Sequence, residues 1–184
     1  MTSGMKKFFV FVLLVLIAIL LAGVYGMIHN QISYTVSPEY FTKFKFRQFG
    51  LEGMNLPDRA RAAIVGFLAS WWMGIPIGLL VGGFGFIHSG HWRMFRITLL
   101  SFAVVIAFTL LFGLCGLLYG WCETRNIKHT DYQDWFIPGD IVDLRHFLCA
   151  GYMHNSSYLG GTLAIFVAAV FHVVVRIRTK KEIS

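Results

Sequence analysis

Residues 62–87 read AAIVGFLASWWMGIPIGLLVGGFGFI. No charge interrupts the run, and every fourth position is small: Gly66, Ser70, Gly74, Gly78 and Gly82. On a helix, residues four apart stack into one ridge. A ridge without side-chain bulk lets a second helix approach backbone to backbone. Small-xxx-small ridges are how helices associate in lipid, where apolar burial alone gives no drive. The stretch therefore predicts a transmembrane helix packed inside a bundle.

Three further runs have the length that crosses a bilayer core, which is about 20 residues. They are 8–27 (FFVFVLLVLIAILLAGVYGM), 97–121 (ITLLSFAVVIAFTLLFGLCGLLYGW) and 157–175 (SYLGGTLAIFVAAVFHVVV). Apolar residues make up 57% of the 184 and charged residues 14%, against roughly 45–50% and about 25% in soluble domains. A water-soluble core of this size has no room for four such runs. Smaller ridges recur on the other spans: Ala18-Ala22-Gly26, Gly116-Gly120 and Gly160-Ala164-Ala168. The expected fold is an all-α membrane protein. One domain, 1–184, forms a bundle of four transmembrane helices, with short amphipathic helices in the outer segments 28–61 and 122–156.

The first run follows Lys6 and Lys7, as a signal peptide would. It is longer than an ordinary signal core and has no Ala-x-Ala site, so an uncleaved anchor is expected. Basic residues near span ends set orientation. Lys6, Lys7, Arg93, Arg96, Arg176, Arg178, Lys180 and Lys181 crowd one side, with Glu182 alone opposing. The other side spreads its eight basic residues over two long segments and matches them with acids. Both termini are therefore expected in the cytoplasm, although Arg59 and Arg61 beside the second span point the other way. The net charge of +7 is a topology signal and an attraction to anionic lipid. No basic stripe interleaves with aromatics, so nucleic acid is not an expected partner.

In the first outer segment, Ile32, Tyr34 and Val36 alternate with polar residues, a short strand signal. Ser37-Pro38-Glu39 then starts a helix, with a hydroxyl N-cap, proline at N1 and an acid in the first turn. Aromatics and basics through Phe49 suit a helix lying in the headgroup layer. Asn55-Leu56-Pro57-Asp58 resembles a second cap. In the other outer segment a helix is expected from Asp140, with Asp143 at N3 and a break at Gly151. Asn155, Ser156 and Ser157 offer the N-cap of the last span. Pro76 frees the carbonyl of Trp72 and predicts a local kink. Cys115, Cys122 and Cys149 read as free thiols, with a Cys122–Cys149 pair as the alternative.

No Walker loop, HExxH, CxxC or GxSxG is present, and the span interiors hold no Asp, Glu, Lys or Arg. That absence disfavours a pump or transporter. Histidines form the one constellation with chemistry. His29, His146 and His154 fall near the outer ends of spans one and four, and His129 lies between. His88 and His91 follow span two, and His172 sits inside span four. Interfacial polar anchoring is the leading reading, with no cofactor expected. Haem held by His172 with His88 or His91 is one alternative. A divalent metal at His29, Asp143, His146 and His154 is another.

Three strings carry a resemblance: HNQISYTVSPEYFTKFKFRQFG at 29–50, GFLASWWMGIPIG at 66–78 and MHNSSYLGG at 153–161. They resemble uncharacterised bacterial multi-span inner-membrane proteins of unknown function. The resemblance implies a bacterial inner-membrane setting and no activity. The leading functional expectation is a non-enzymatic subunit, scaffold or binding protein. Its partners are the lipid bilayer and either another membrane protein or a second copy. A haem or metal redox protein is the alternative, and a small channel or transporter the second alternative.

Overall fold

The computed structural model describes residues 2–127 and 132–183, with side chains through Lys180. His129 lies outside the described residues. Among those described there is no strand, and four helices are long and apolar enough to cross a membrane. Helix α1 is Ser3–Val36. A short helix, α2, covers 38–48 and is wound as a π-helix over Tyr40–Lys45. The second span is built from α3, Asp58–Ser70, and α4, Gly74–Phe84. Helix α5 is His91–Glu123 and α6 is Leu144–Ile183. The all-α, four-helix bundle expected from the sequence is the observed architecture.

Helix α1 packs along α3 and α4, and α5 packs along α6. The two pairs face one another through α1 with α5 and α4 with α6. The α1 interface explains the small residues. A Cβ added at Gly66 would meet the backbone of Gly26 and Met27. One at Gly74 would meet the backbone of Ala18 and Ile19. At Gly78 the nearest atoms are Ala18 Cβ and Val15 Cα, both 3.0 Å away. Gly82 faces the ring of Phe11 at 3.3 Å, and Ser70 comes against Gly26. On the other side of the bundle, Gly113 meets Ser157, Gly116 meets Ser156 and Gly120 meets Tyr152.

Two apolar cores follow. One joins Leu14, Ala18, Val81, Met94, Phe102, Val105, Ala164 and Ala168 inside the bundle. The other lies where the outer segments meet the helices and contains Tyr40, Phe41, Phe46, Leu51, Val65 and Phe147. A 34-residue helix is about 51 Å long at the usual rise. That exceeds the roughly 30 Å of hydrocarbon, so α1 carries this second core beyond the span proper.

Several local expectations are corrected. Residues 32–36 are the end of α1 and not a strand. Side chains on that turn, Asn30 and Ser33, are buried and bonded, which tertiary packing secures against a weak alternation signal. Ser37 does cap α2, its Oγ accepting from Tyr40 N at 3.2 Å. However, α2 does not lie on a membrane surface by its apolar face. Phe41 and Phe46 are fully buried against protein. Helix α3 begins at Asp58 with Pro57 at the cap position and no side-chain cap bond, so Asn55 does not cap it.

Helix α6 begins at Leu144, later than Asp140, and runs unbroken through Gly151. Asp143 is its cap. One carboxylate oxygen accepts from His146 N at 3.1 Å, and the other is 2.6 Å from His146 Nδ1. Gly151 serves a different purpose from a helix break: the ring of Trp135 occupies the place a Cβ would take. The helix irregularity predicted at Pro76 falls at Trp71–Met73, a 3-10 turn that ends one turn before it. This fits a ring that crowds the carbonyl four residues back. The three cysteines are free thiols.

Candidate functional site

A cavity of about 100 Å³ lies between all four spans. Its body is apolar and includes Ala18, Ala22, Ile77, Phe102 and Val105. Polar groups converge at one end only: Tyr25, His29 and Asn30 from α1, His154 and Ser157 from α6, and Lys45 from α2. Tyr158, nearly half exposed, stands on its rim, so the cavity communicates with the helix surface.

The polar end is a connected network. His29 is 4% exposed. Its Nε2 lies 3.0 Å from Ser157 Oγ, and its Nδ1 lies 3.4 Å from Asn30 Oδ1. Tyr25 donates to Ser157 Oγ at 3.4 Å. Asn30 Nδ2 donates to the Ala62 carbonyl at 3.0 Å, tying the network to α3. His154 Nε2 lies 3.2 Å from Ser33 Oγ. The His154 ring stacks on Tyr40 at 4.9 Å and meets His29 edge to face at 4.6 Å. Three spans and α2 thus contribute to one buried cluster. Each helix is positioned by its small residues: Gly26 seats α1 on α3, and Gly113 makes room for Ser157.

Lys45 covers this end. Its Nζ bonds Gln48 Oε1 at 2.9 Å and lies over the Phe44 ring at 4.4 Å. Burial pushes its ammonium down to about 8 from the ordinary 10.5. The sign of the consequence is fixed. Between those two values the unfolded chain holds a proton that the folded chain has lost, so stability rises with pH across that window. The wild type is expected to gain thermal stability from pH 8 upward relative to Lys45→Met. The difference between the two melting curves should close as pH approaches 10.5. A constant difference over that range contradicts a desolvated lysine.

The sequence-nominated histidines fall into separate places. His29 and His154 come together, and His88 pairs with His172 at 3.0 Å between Nε2 and Nδ1. His146 stays with Asp143 at the start of α6, beside Trp121, and Asp143 does not reach His154. His91 is the first residue of α5. Interfacial placement is therefore corrected for His29 and His88, which are buried, as is His172. Burial follows from the small ridges, which draw the helices close enough to exclude solvent. The partner of His172 inside the bundle is His88 itself. Among the described residues no three His, Cys, Asp or Glu side chains converge as a metal would require. The rings of His88 and His172 bond one another directly and do not flank a slot the width of a haem.

Sequence reasoning missed Tyr25, Asn30, Ser33, Ser157 and Lys45 as site residues. A signal for them exists. Tyr25, His29 and Ser33 repeat every fourth residue on α1 and continue the Ala18-Ala22-Gly26 face. Ser157 likewise precedes Gly161 by four. No family model matches the chain, and no curated protein or solved structure does either.

Proposed function

We propose that the chain is a non-enzymatic membrane binding protein whose cavity takes an amphiphile with an anionic or carbonyl head. One observation carries this reading: an apolar cavity between four membrane-length helices, with donors gathered at one end. Ligand sites have this form, an apolar body with a few convergent polar groups that fix orientation. The Lys45 ammonium carries three protons and gives one to Gln48, so it supplies the donors for oxygen. Tyr25 and His29, bonded to Ser157, hold the polar end in shape. The apolar body accepts the first part of a chain, and the opening beside Tyr158 lets the remainder lie in lipid.

The setting we infer is a bacterial inner membrane, on the resemblance of residues 29–50, 66–78 and 153–161. Cytoplasmic termini are supported by the density of basic residues beside the span ends. Arg59 and Arg61, which point the other way, are engaged locally. Arg59 donates to Gln31 and Thr35, and Arg61 pairs with Asp58 and donates to the Leu51 and Glu52 carbonyls. They hold the first outer segment in place, which accounts for their position independently of topology.

Oleate tests the reading. The purified chain in mild detergent is expected to bind one oleate by native mass spectrometry and to melt at a higher temperature in its presence. Oleyl alcohol should bind more weakly, because Lys45 then faces no charge. Ala22→Phe fills the cavity and should abolish binding without loss of stability. Absence of any oleate-dependent shift in the wild type, or undiminished binding by Ala22→Phe, overturns it.

A further inference from the structure

At the end of the bundle remote from the His29 cluster, cations converge where α1, α5 and α6 meet the turn after α4. Lys7 of α1 donates to the carbonyls of His88 at 2.7 Å and Phe86 at 3.2 Å. Arg93 of α5 donates to the hydroxyl of Thr179 on α6, which in turn donates to the Val175 carbonyl at 2.9 Å. Arg176 of α6 joins them, and all three cations stand close enough to His88 to act on it electrostatically. Arg96, one turn on from Arg93, extends the same face of α5.

No acid offsets this charge. None of these four basic side chains pairs with a carboxylate among the described residues. Glu182 is the one acid of the sequence that falls outside 39–143. The opposite end differs, for there Lys43 pairs with Asp140, Arg47 with Glu52 and Arg61 with Asp58. An ammonium carries three N–H donors and a guanidinium five. Lys7 uses two on carbonyls and Arg93 one on Thr179, so both are held in place and still have donors to offer. Helix α5 adds to the field. Gly90 at its cap brings no side chain and the first turn holds no acid, which leaves the positive end of its dipole open to an anion.

The neighbouring surface is apolar and exposed. Phe8 follows Lys7, Phe86 and Ile87 precede His88, and Trp92 precedes Arg93. Trp92 is 63% exposed and stacks on Phe95 at 5.6 Å. An exposed tryptophan beside basic residues belongs at headgroup level.

We propose that this junction binds one anionic glycerophospholipid, its phosphate held by Lys7, Arg93 and Arg176 and its acyl chains lying on the adjoining apolar surface. The site is more than the diffuse attraction of a basic end to acidic lipid. A residue that only marks topology needs charge and no fixed position. Here Lys7 and Arg93 are anchored by bonds to other helices, so less side-chain freedom is lost when they close on a phosphate. Guanidinium forks match phosphate oxygens, and charge-assisted bonds of this kind are the strong ones. The bound phosphate also relieves the repulsion among cations brought together from three helices. Exposed aromatics beside the cations suit a lipid and give a free inorganic anion nothing to bind.

The full chain in mild detergent, titrated with phosphatidylglycerol and read by native mass spectrometry, provides the test. One phosphatidylglycerol is expected to bind in preference to phosphatidylcholine. Arg176→Gln should weaken it about tenfold, the worth of a hydrogen bond to a charged group. Arg93→Gln should do the same, and Arg93→Lys should recover part of the loss. Arg178→Gln removes the same charge from the same end, but from the opposite face of α6, and should leave binding near the wild-type value. Arg176→Gln decides the matter if Arg93→Gln does not fold. Equal binding of the two lipids overturns the proposal. So do equal losses in Arg176→Gln and Arg178→Gln, which would show diffuse attraction only. Displacement of the lipid by inorganic phosphate at the same concentration would assign the site to a free anion and overturn it as well. Ala22→Phe closes the central cavity and should leave phosphatidylglycerol binding intact, so this outcome and that for oleate are read separately.

Discussion

Gly66→Leu is expected to separate α1 from α3 and to abolish the folded bundle in mild detergent. A Cβ at this position would meet the Gly26 carbonyl, and backbone cannot step aside as a flexible side chain can. Overpacking an ordinary core costs about 1–3 kcal/mol, and a helix-to-helix backbone contact sits at or above the top of that range. Gly74→Leu should behave alike, since it meets Ala18 and Ile19 backbone. Gly78→Leu should be milder, with its nearest neighbours at 3.0 Å. Gly83 is the internal control. Nothing lies within 4 Å of its added Cβ, so Gly83→Ala should raise stability by roughly 0.5–1 kcal/mol through helix propensity. Thermal unfolding followed by circular dichroism ranks the four variants. Equal melting temperatures for Gly66→Leu and Gly83→Ala contradict this interface.

The four spans were legible in the sequence because membrane-length apolarity is a property of composition, summed over some twenty residues, and survives local error. The ends of the helices were not. Ile32, Tyr34 and Val36 have the alternation of a strand, yet they close α1, where the neighbouring turn is fixed by Asn30 bonding to Ala62. That bond joins residues far apart in the chain, and no local pattern carries it. Gly151 gave the same false lead. A glycine that admits the Trp135 ring and a glycine that ends a helix are identical as letters. The aromatic face of α2 was legible as apolar, but whether lipid or protein covers such a face depends on Phe147 and Val65 arriving from other helices.

For the site, His172 with His88 and His29 with His154 were legible as members of larger sets, while the direct contacts and the non-histidine partners were not. His172 stood out because an apolar span surrounds it, and an imidazole there needs a partner. Its partner is His88, which the sequence reads as an interfacial residue after span two and offers, with His91, as a ligand opposite His172. His88 is buried with its ring against His172 of α6, and Lys7 of α1 bonds its carbonyl. His29 was obscured in the same way. Its neighbours Ser157 and His154 lie on the last helix, brought near by Gly113 and by the stacking of His154 on Tyr40. Spacing within one helix predicts a face, while contact between faces is decided by the small residues of both.

His29→Leu should cost about 2–4 kcal/mol, since it strands buried polar atoms on two other residues. Leucine is similar in size, so the loss is not one of packing. Ser157 Oγ keeps only the long bond from Tyr25, and Asn30 Oδ1 loses its bond to the ring. The Asn30 amide remains tied to Ala62 and cannot turn to seek another partner without breaking that bond. Interhelical hydrogen bonds in membranes are often modest, near 0.6 kcal/mol on average. The excess expected here comes from the unpaired atoms and not from the bond itself. A double-mutant cycle separates the two. Ser157→Ala removes one stranded hydroxyl, so Ser157→Ala with His29→Leu should cost less than the sum of the single changes. Unfolding in a graded denaturing detergent reads all three. Strict additivity would show that His29 and Ser157 are not coupled, and the cluster would then reduce to independent polar residues beside a cavity.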